Sequence, residues 1–166
     1  MSSATGSVPT LYVCDSTAYR PATAVEVLAA ARQTISLRFR RGRVLTSPAL
    51  VQEYLRVSFA TLEHEVFCVV LLDCHHRLLA CVEMFRGTVD RAAVHPREVV
   101  KEALKHNAAA VILAHNHPSG TPEPSPADQL ITHRLRDALG LIDIHVLDHL
   151  VVAGNGIVSL AERGLL

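Results

Sequence analysis

No two cysteines in this chain are spaced C-x-x-C. The four that occur, Cys14, Cys68, Cys74 and Cys81, therefore give no support to a zinc ribbon or a thioredoxin-like redox motif. Cys68 and Cys74 lie in or beside an apolar run and read as core residues, so a reducing compartment is expected. Neither sign of charge is in excess: 16 basic side chains balance 16 acidic ones. That argues against a chain built mainly to coat nucleic acid or an anionic membrane. No uncharged apolar run reaches the ~18 residues of a membrane span. Residues 1–7 lack a basic segment followed by an apolar one, so no signal peptide is expected. Cytoplasm is the expected location, with no membrane partner. There is no internal repeat and no low-complexity segment.

What is present is enough apolar material for a core. Hydrophobic residues make up 49% of 166 positions, which fits one folded domain and excludes a disordered chain. Ten histidines are many for this length, and they make metal chemistry worth testing.

Along the chain, Leu11–Cys14 reads as a short strand and Pro21 to Arg32 as a helix, with proline in its first turn. Arg38-Phe39-Arg40-Arg41-Gly42-Arg43 is the only basic cluster. It reads as a solvated linker, with a nucleic-acid contact as the alternative. Ser47-Pro48 starts a second helix, serine as N-cap and proline at the first helical position. Val66 to Asp73 is β-branched and almost continuously apolar, the pattern of a strand buried on both faces. A short turn at 74–77 leads to an antiparallel partner, Leu78–Phe85. Thr88–Val94 is a weaker strand candidate. His95-Pro96 opens a helix, and Ala108–His115 reads as a central strand. Ser125 to Leu139 is a helix stopped by Gly140. Ile142–Leu147 and His149–Val152 read as two strands joined tightly, and Ile157–Leu160 as a last one after an Asn155-Gly156 turn. Strand pairs interspersed with helices imply an α/β domain with a mixed sheet.

The chemistry concentrates in residues 115–128. On a strand, residues two apart point to one side, so His115 and His117 aim both imidazoles the same way. A catalytic zinc needs three protein ligands and an open fourth position. Asp128, eleven residues after His117, is the candidate third. Ser125-Pro126-Ala127-Asp128 also has the makings of a helix start, with Ser125 as N-cap and Asp128 closing a capping box. The two readings are compatible.

The pattern His115-x-His117-x7-Ser125-x2-Asp128 matches the signature of the JAMM (MPN+) metallopeptidases. His115-Asn116-His117-Pro118-Ser119-Gly120, Phe85-Arg86-Gly87-Thr88, His95-Pro96-Arg97-Glu98 and Asp148-His149 resemble the RadC branch. The resemblance covers roughly Ser47–Leu166, with residues 1–46 as an N-terminal extension carrying one helix and 47–166 as the JAMM/MPN+ domain. It implies a cytidine-deaminase-like mixed sheet flanked by helices. It also implies one zinc per chain on His115, His117 and Asp128, with Ser125 hydrogen-bonding the attacking water or the developing oxyanion and stabilising its charge. A glutamate on an upstream strand would be the general base, and Glu83 is assigned that place. The implied activity is hydrolysis of a peptide or isopeptide-like bond in a protein or peptide substrate. The alternative is a DNA-repair accessory that binds DNA. The helix-hairpin-helix region of longer RadC-like chains has no counterpart in residues 1–46, and only Arg38–Arg43 speaks for that reading. Oligomeric state is left open.

Overall fold

The computed structural model describes residues 10–15, 18–45, 48–60, 62–87, 94–154 and 156–166. Its elements are β1 (Tyr12–Asp15), β2 (Ala18–Pro21), α1 (Ala24–Arg38), α2 (Pro48–Phe59), β3 (Glu65–Leu72), β4 (Leu78–Gly87), α3 (Pro96–Lys105), β5 (Ala110–Asn116), α4 (Pro126–Gly140), β6 (His145–Ala153) and β7 (Gly156–Ser159). β1 and β2 form a separate hairpin, and the other five strands make one sheet in the order β4-β3-β5-β6-β7. Only β5 and β6 run parallel, and all other neighbours are antiparallel. The result is the expected mixed α/β sheet flanked by helices.

β3 is buried almost throughout because it is sandwiched. Val66, Cys68, Val70 and Leu72 pack with Val51, Leu55 and Phe59 of α2 on one face. Phe67, Val69 and Leu71 pack on the other with Val99 and Ala103 of α3 and with Leu135 and Leu139 of α4. The alternation of a strand splits one apolar run between two cores.

Several boundaries differ from the sequence reading. α1 begins at Ala24 because Thr23 and Glu26 form a capping box, which leaves Pro21 to end β2. The extension thus contains a hairpin as well as the expected helix. The stretch after α1 is pinned as well as solvated. Gly42 N–H donates to Leu78 O, Leu78 N–H to Arg43 O and Leu45 N–H to His76 O, holding the basic turn against the start of β4. Gly140 is the last residue of α4, with Leu141 as C-cap. The two expected strands at 142–152 are one, β6, with a register shift against β5 that sets Ile112 opposite Asp148. The expected strand at Thr88–Val94 falls largely on residues 88–93, outside the described residues, as do Ser47 and Asn155.

Candidate metal centre

The histidines sit where β5 ends. His115 is in register with Phe67 of β3 and with Val151 of β6. His117 lies just past the strand, but its N–H still donates to Val152 O at 2.8 Å. The extended geometry therefore persists long enough to keep both rings on the α4 side. Asn116 between them points the other way and is 4% exposed. Its Oδ1 accepts from Val66 N–H at 2.7 Å and its Nδ2 donates to His64 O at 3.0 Å. That side chain completes the β3–β5 pairing where the backbone ladder stops.

Asp128 comes from the first turn of α4, where the capping box is formed. Ser125 Oγ accepts from Asp128 N–H at 3.2 Å, and Asp128 Oδ2 accepts from Ser125 N–H at 2.7 Å. Helix capping and presentation of the carboxylate are one arrangement. Asp128 Oδ1 lies 3.3 Å from His115 Nε2, Asp128 Oδ2 3.4 Å from His117 Nε2, and the two Nε2 atoms 2.9 Å apart. Donors bound at about 2.0–2.1 Å to a tetrahedral zinc stand about 3.3–3.4 Å from one another. The three side chains thus present converging donor atoms on one face of a candidate site, the two histidines meeting different oxygens of the carboxylate, and could hold a metal ion. His117 Nδ1–H donates to Thr121 O at 2.9 Å, which turns the lone pair of a neutral ring, on Nε2, toward that face.

Three titratable groups here are shifted by burial and by one another. His117 is raised above the usual histidine value, first by its bond with Asp128, against burial, and then by Thr121 O and the charges of Asp128 and Glu65. Burial pushes the Asp128 carboxyl up, but its bonds and charge interactions with the two histidines and Ser125 outweigh that and hold it well below the carboxylate range. His149 is driven down to about 3, mainly by burial and then by the charge of His115.

The structure brings His115, His117 and Asp128 together, and it separates Glu83 from them. Glu83 is opposite Cys68, whose other cross-strand neighbour is Ala114. That is the α2 face of the sheet, away from His115. Its side chain is 44% exposed and bonds Arg86 at 2.8 Å, and that bond, against a small burial effect, lowers its pKa. The structure therefore sets Glu83 on the face opposite the histidines, and the carboxylate on their side of β3 is Glu65. Continuing the Phe67–His115 register by two residues sets Glu65 across from His117, and its charge acts on that ring. The sequence signal was available: Glu65 precedes Phe67 by two, so both share a face of β3.

Ser125 donates its hydroxyl proton to Asp128 Oδ2 at 2.7 Å and so holds that carboxylate in place. Ser125→Ala should cost about 1 kcal/mol of stability, read by urea denaturation, and should weaken metal binding together with it. Glu123, in the loop between His117 and α4, pairs with Arg163 at 2.6 Å. The loop itself rests on the β6–β7 turn. A Cβ on Gly156 would come within 3.0 Å of Pro122 Cγ, so glycine is what permits the approach.

The chain's relatives agree with this architecture. Residues 45–165 match the RadC-like JAB domain family. Over 140 residues, 84% of the chain, it is 56% identical to a UPF0758 protein of Methylibium petroleiphilum, covering 63% of that protein. It is 59% identical over 140 residues to one from Cellvibrio japonicus, covering 62% of it. It is 58% identical over 140 residues to one from Vibrio cholerae, covering 88%. The chain spans less than two thirds of the first two relatives. No helix among the described residues is long and apolar enough to cross a membrane. With the family match covering most of the chain and identities above one half, the chain belongs to the RadC-like JAB domain family.

Proposed function

We propose that this chain is a zinc-dependent hydrolase of the JAMM metallopeptidase type, acting on a peptide or isopeptide-like amide bond. The observation that carries this is the convergence of His115 Nε2, His117 Nε2 and the Asp128 carboxylate: the two nitrogens are 2.9 Å apart, with Asp128 Oδ1 3.3 Å from the first and Oδ2 3.4 Å from the second. A zinc ion held there supplies Lewis-acid chemistry, lowering the pKa of water toward about 7. Thr121 O and Ser125 Oγ hold the His117 ring and the Asp128 carboxylate in their binding orientations. Glu65, placed beside His117, takes the proton of the attacking water and later gives it to the leaving amine. The substrate is a protein or peptide with an exposed amide bond.

Metal content tests the reading. Purified protein is expected to carry one zinc per chain, and Asp128→Ala to carry none. A wild-type protein that stays metal-free when zinc is supplied without chelator overturns it.

Metal binding should also depend on pH in a stated direction. A protonated imidazole cannot ligate, so protons compete with zinc. Because His117 is raised, that competition begins at a higher pH than for an ordinary histidine of about 6.5. Zinc affinity, measured by competition with a chelating dye, is expected to fall steadily as pH is lowered from 8 to 6. An affinity flat across that interval speaks against His117 as a ligand.

One observation favours the second reading. Arg40, Arg41 and Arg43 surround a shallow open concavity, while Arg38 is taken up by Glu53 at 3.3 Å. If DNA is a partner, duplex binding should weaken as salt rises and disappear when the three arginines become alanine. Binding unaffected by those changes removes this surface as the contact.

A further inference from the structure

We infer that Thr132 and His149 are positioning residues that fix the tautomer of His115 and so aim its Nε2 lone pair at the metal. This rests on the metal-site reading above but is tested separately from it.

The chain of hydrogen bonds has only one consistent direction. It starts at the backbone carbonyl of Asp128, which can only accept. Thr132, one turn further along α4, is 2.5 Å from that oxygen through its Oγ1. Two oxygens that close need a proton between them, and only the threonine has one to give. Its single proton is thereby committed. The same Oγ1 lies 2.6 Å from His149 Nδ1, so that contact must be an N–H of His149 donating to threonine. With Nδ1 protonated, the neutral ring has its lone pair on Nε2. That atom is 2.8 Å from His115 Nδ1, which must then be the donor. His115 is left with an unprotonated Nε2, the atom that faces His117 and Asp128.

The reverse direction blocks the site. If His149 donated from Nε2, the neutral His115 would hold its proton on Nε2, where the metal has to bind. The helix carbonyl at one end of the chain thus decides which nitrogen is open at the other. Everything between is sealed: Thr132 and His149 are 0% exposed and His115 is 1% exposed, so water is not at hand to supply a competing donor. Phe67 stacks on His115 with ring centroids 6.2 Å apart and meets His149 edge-on at 5.5 Å, which limits rotation of either ring. The β5–β6 register shift places His149 opposite Leu113, on the His115 side of the sheet. Asp148 secures that stretch by accepting from His149 N–H at 2.7 Å and from Ala161 N–H at 3.1 Å. Partners of this kind set ligand basicity and orientation in metal sites, and losing one typically costs 10–100-fold in affinity.

The decisive measurement is made first on metal-free wild-type protein. Long-range proton–nitrogen NMR correlations of the imidazoles, assigned by His115→Gln and His149→Gln, are expected to show a proton on Nδ1 of both His115 and His149 and none on His149 Nε2. A wild-type His115 that lacks a proton on Nδ1 overturns the inference. Zinc affinity is then measured by chelator competition. Thr132→Val, matched in shape but without the hydroxyl, should bind zinc about 10–100-fold more weakly, and Thr132→Ser should recover most of that loss. Equal affinity for the wild-type, valine and serine proteins overturns it as well. A packing role alone predicts the opposite order, since valine fills the site better than serine. If wild-type protein binds no zinc, the hydrolase reading fails, and the metal-free spectrum still decides this one.

Discussion

Glu65→Gln is expected to lower turnover of a cleavable amide substrate by about 10²–10⁴-fold, the usual contribution of a general base, while zinc content stays at one per chain. Glutamine keeps the size and the hydrogen-bonding reach of the side chain but cannot take up a proton. The candidate metal-binding residues His115, His117 and Asp128 are untouched by the change. The loss therefore falls in kcat rather than in metal occupancy or folding. Glu83→Gln is the matched control. Its carboxylate is 44% exposed, bound to Arg86 and on the α2 face, so the substitution should leave turnover as it was. The two variants form a clean pair, since each replaces one carboxylate on a neighbouring strand by its amide. A fully active Glu65→Gln beside an inactive Glu83→Gln would return the base to Glu83 and require a different sheet register.

That register explains why one half of the site could be read from sequence and the other could not. His115 and His117 are two apart on one strand, and Ser125 and Asp128 are three apart across a helix start. Both relationships are local, fixed by the geometry of strand and cap, and both are found. The place of Glu83 depends on how β4 pairs with β3, which no local pattern states. Phe67 is opposite Phe85, and continuing that register would put Glu83 opposite Val69, on the face of His115. A register shift between Phe67 and Cys68 puts it opposite Cys68 instead. One residue of slip moves a side chain to the other face of a sheet. The same limit applies to His149. Its partner in the site, Thr132, is 17 residues away and is reached only through the packing of α4 on β6. The shift in β5–β6 pairing also accounts for the break expected between Leu147 and His149, where the polar pair Asp148-His149 interrupts an apolar pattern. The fold class was legible because β3 and β5 are short, continuous apolar runs and α4 opens on a capping box. The face that Glu83 occupies was not, because it depends on a bulge.

Asn116 is the residue of the His-x-His segment with no role legible from local pattern, and its removal is expected to have the second large effect. The alternation that sends His115 and His117 toward α4 sends Asn116 into the opposite core, where it is 4% exposed. A buried amide there needs partners, and it has two: Val66 N–H at 2.7 Å and His64 O at 3.0 Å. Asn116→Ala strands a backbone donor and a backbone acceptor, each worth about 1–3 kcal/mol if left unsatisfied. Some relief from entering water brings the expected loss to about 2–4 kcal/mol, a large share of the roughly 5–15 kcal/mol that holds a domain folded. Urea denaturation measures it as a drop in midpoint at constant slope. Asn116→Asp should be worse still. Its carboxylate keeps an acceptor for Val66 N–H but turns a second acceptor, with a charge, on His64 O. The same two bonds fasten the first residues of β3, where Glu65 sits. The alanine variant should therefore lose turnover beyond what its folded fraction explains, at full zinc occupancy. A variant that loses stability alone would show that β3 holds Glu65 in place without the clip. One that loses neither would show that Val66 and His64 find other partners, and that the central residue of the metal-binding segment is there for packing.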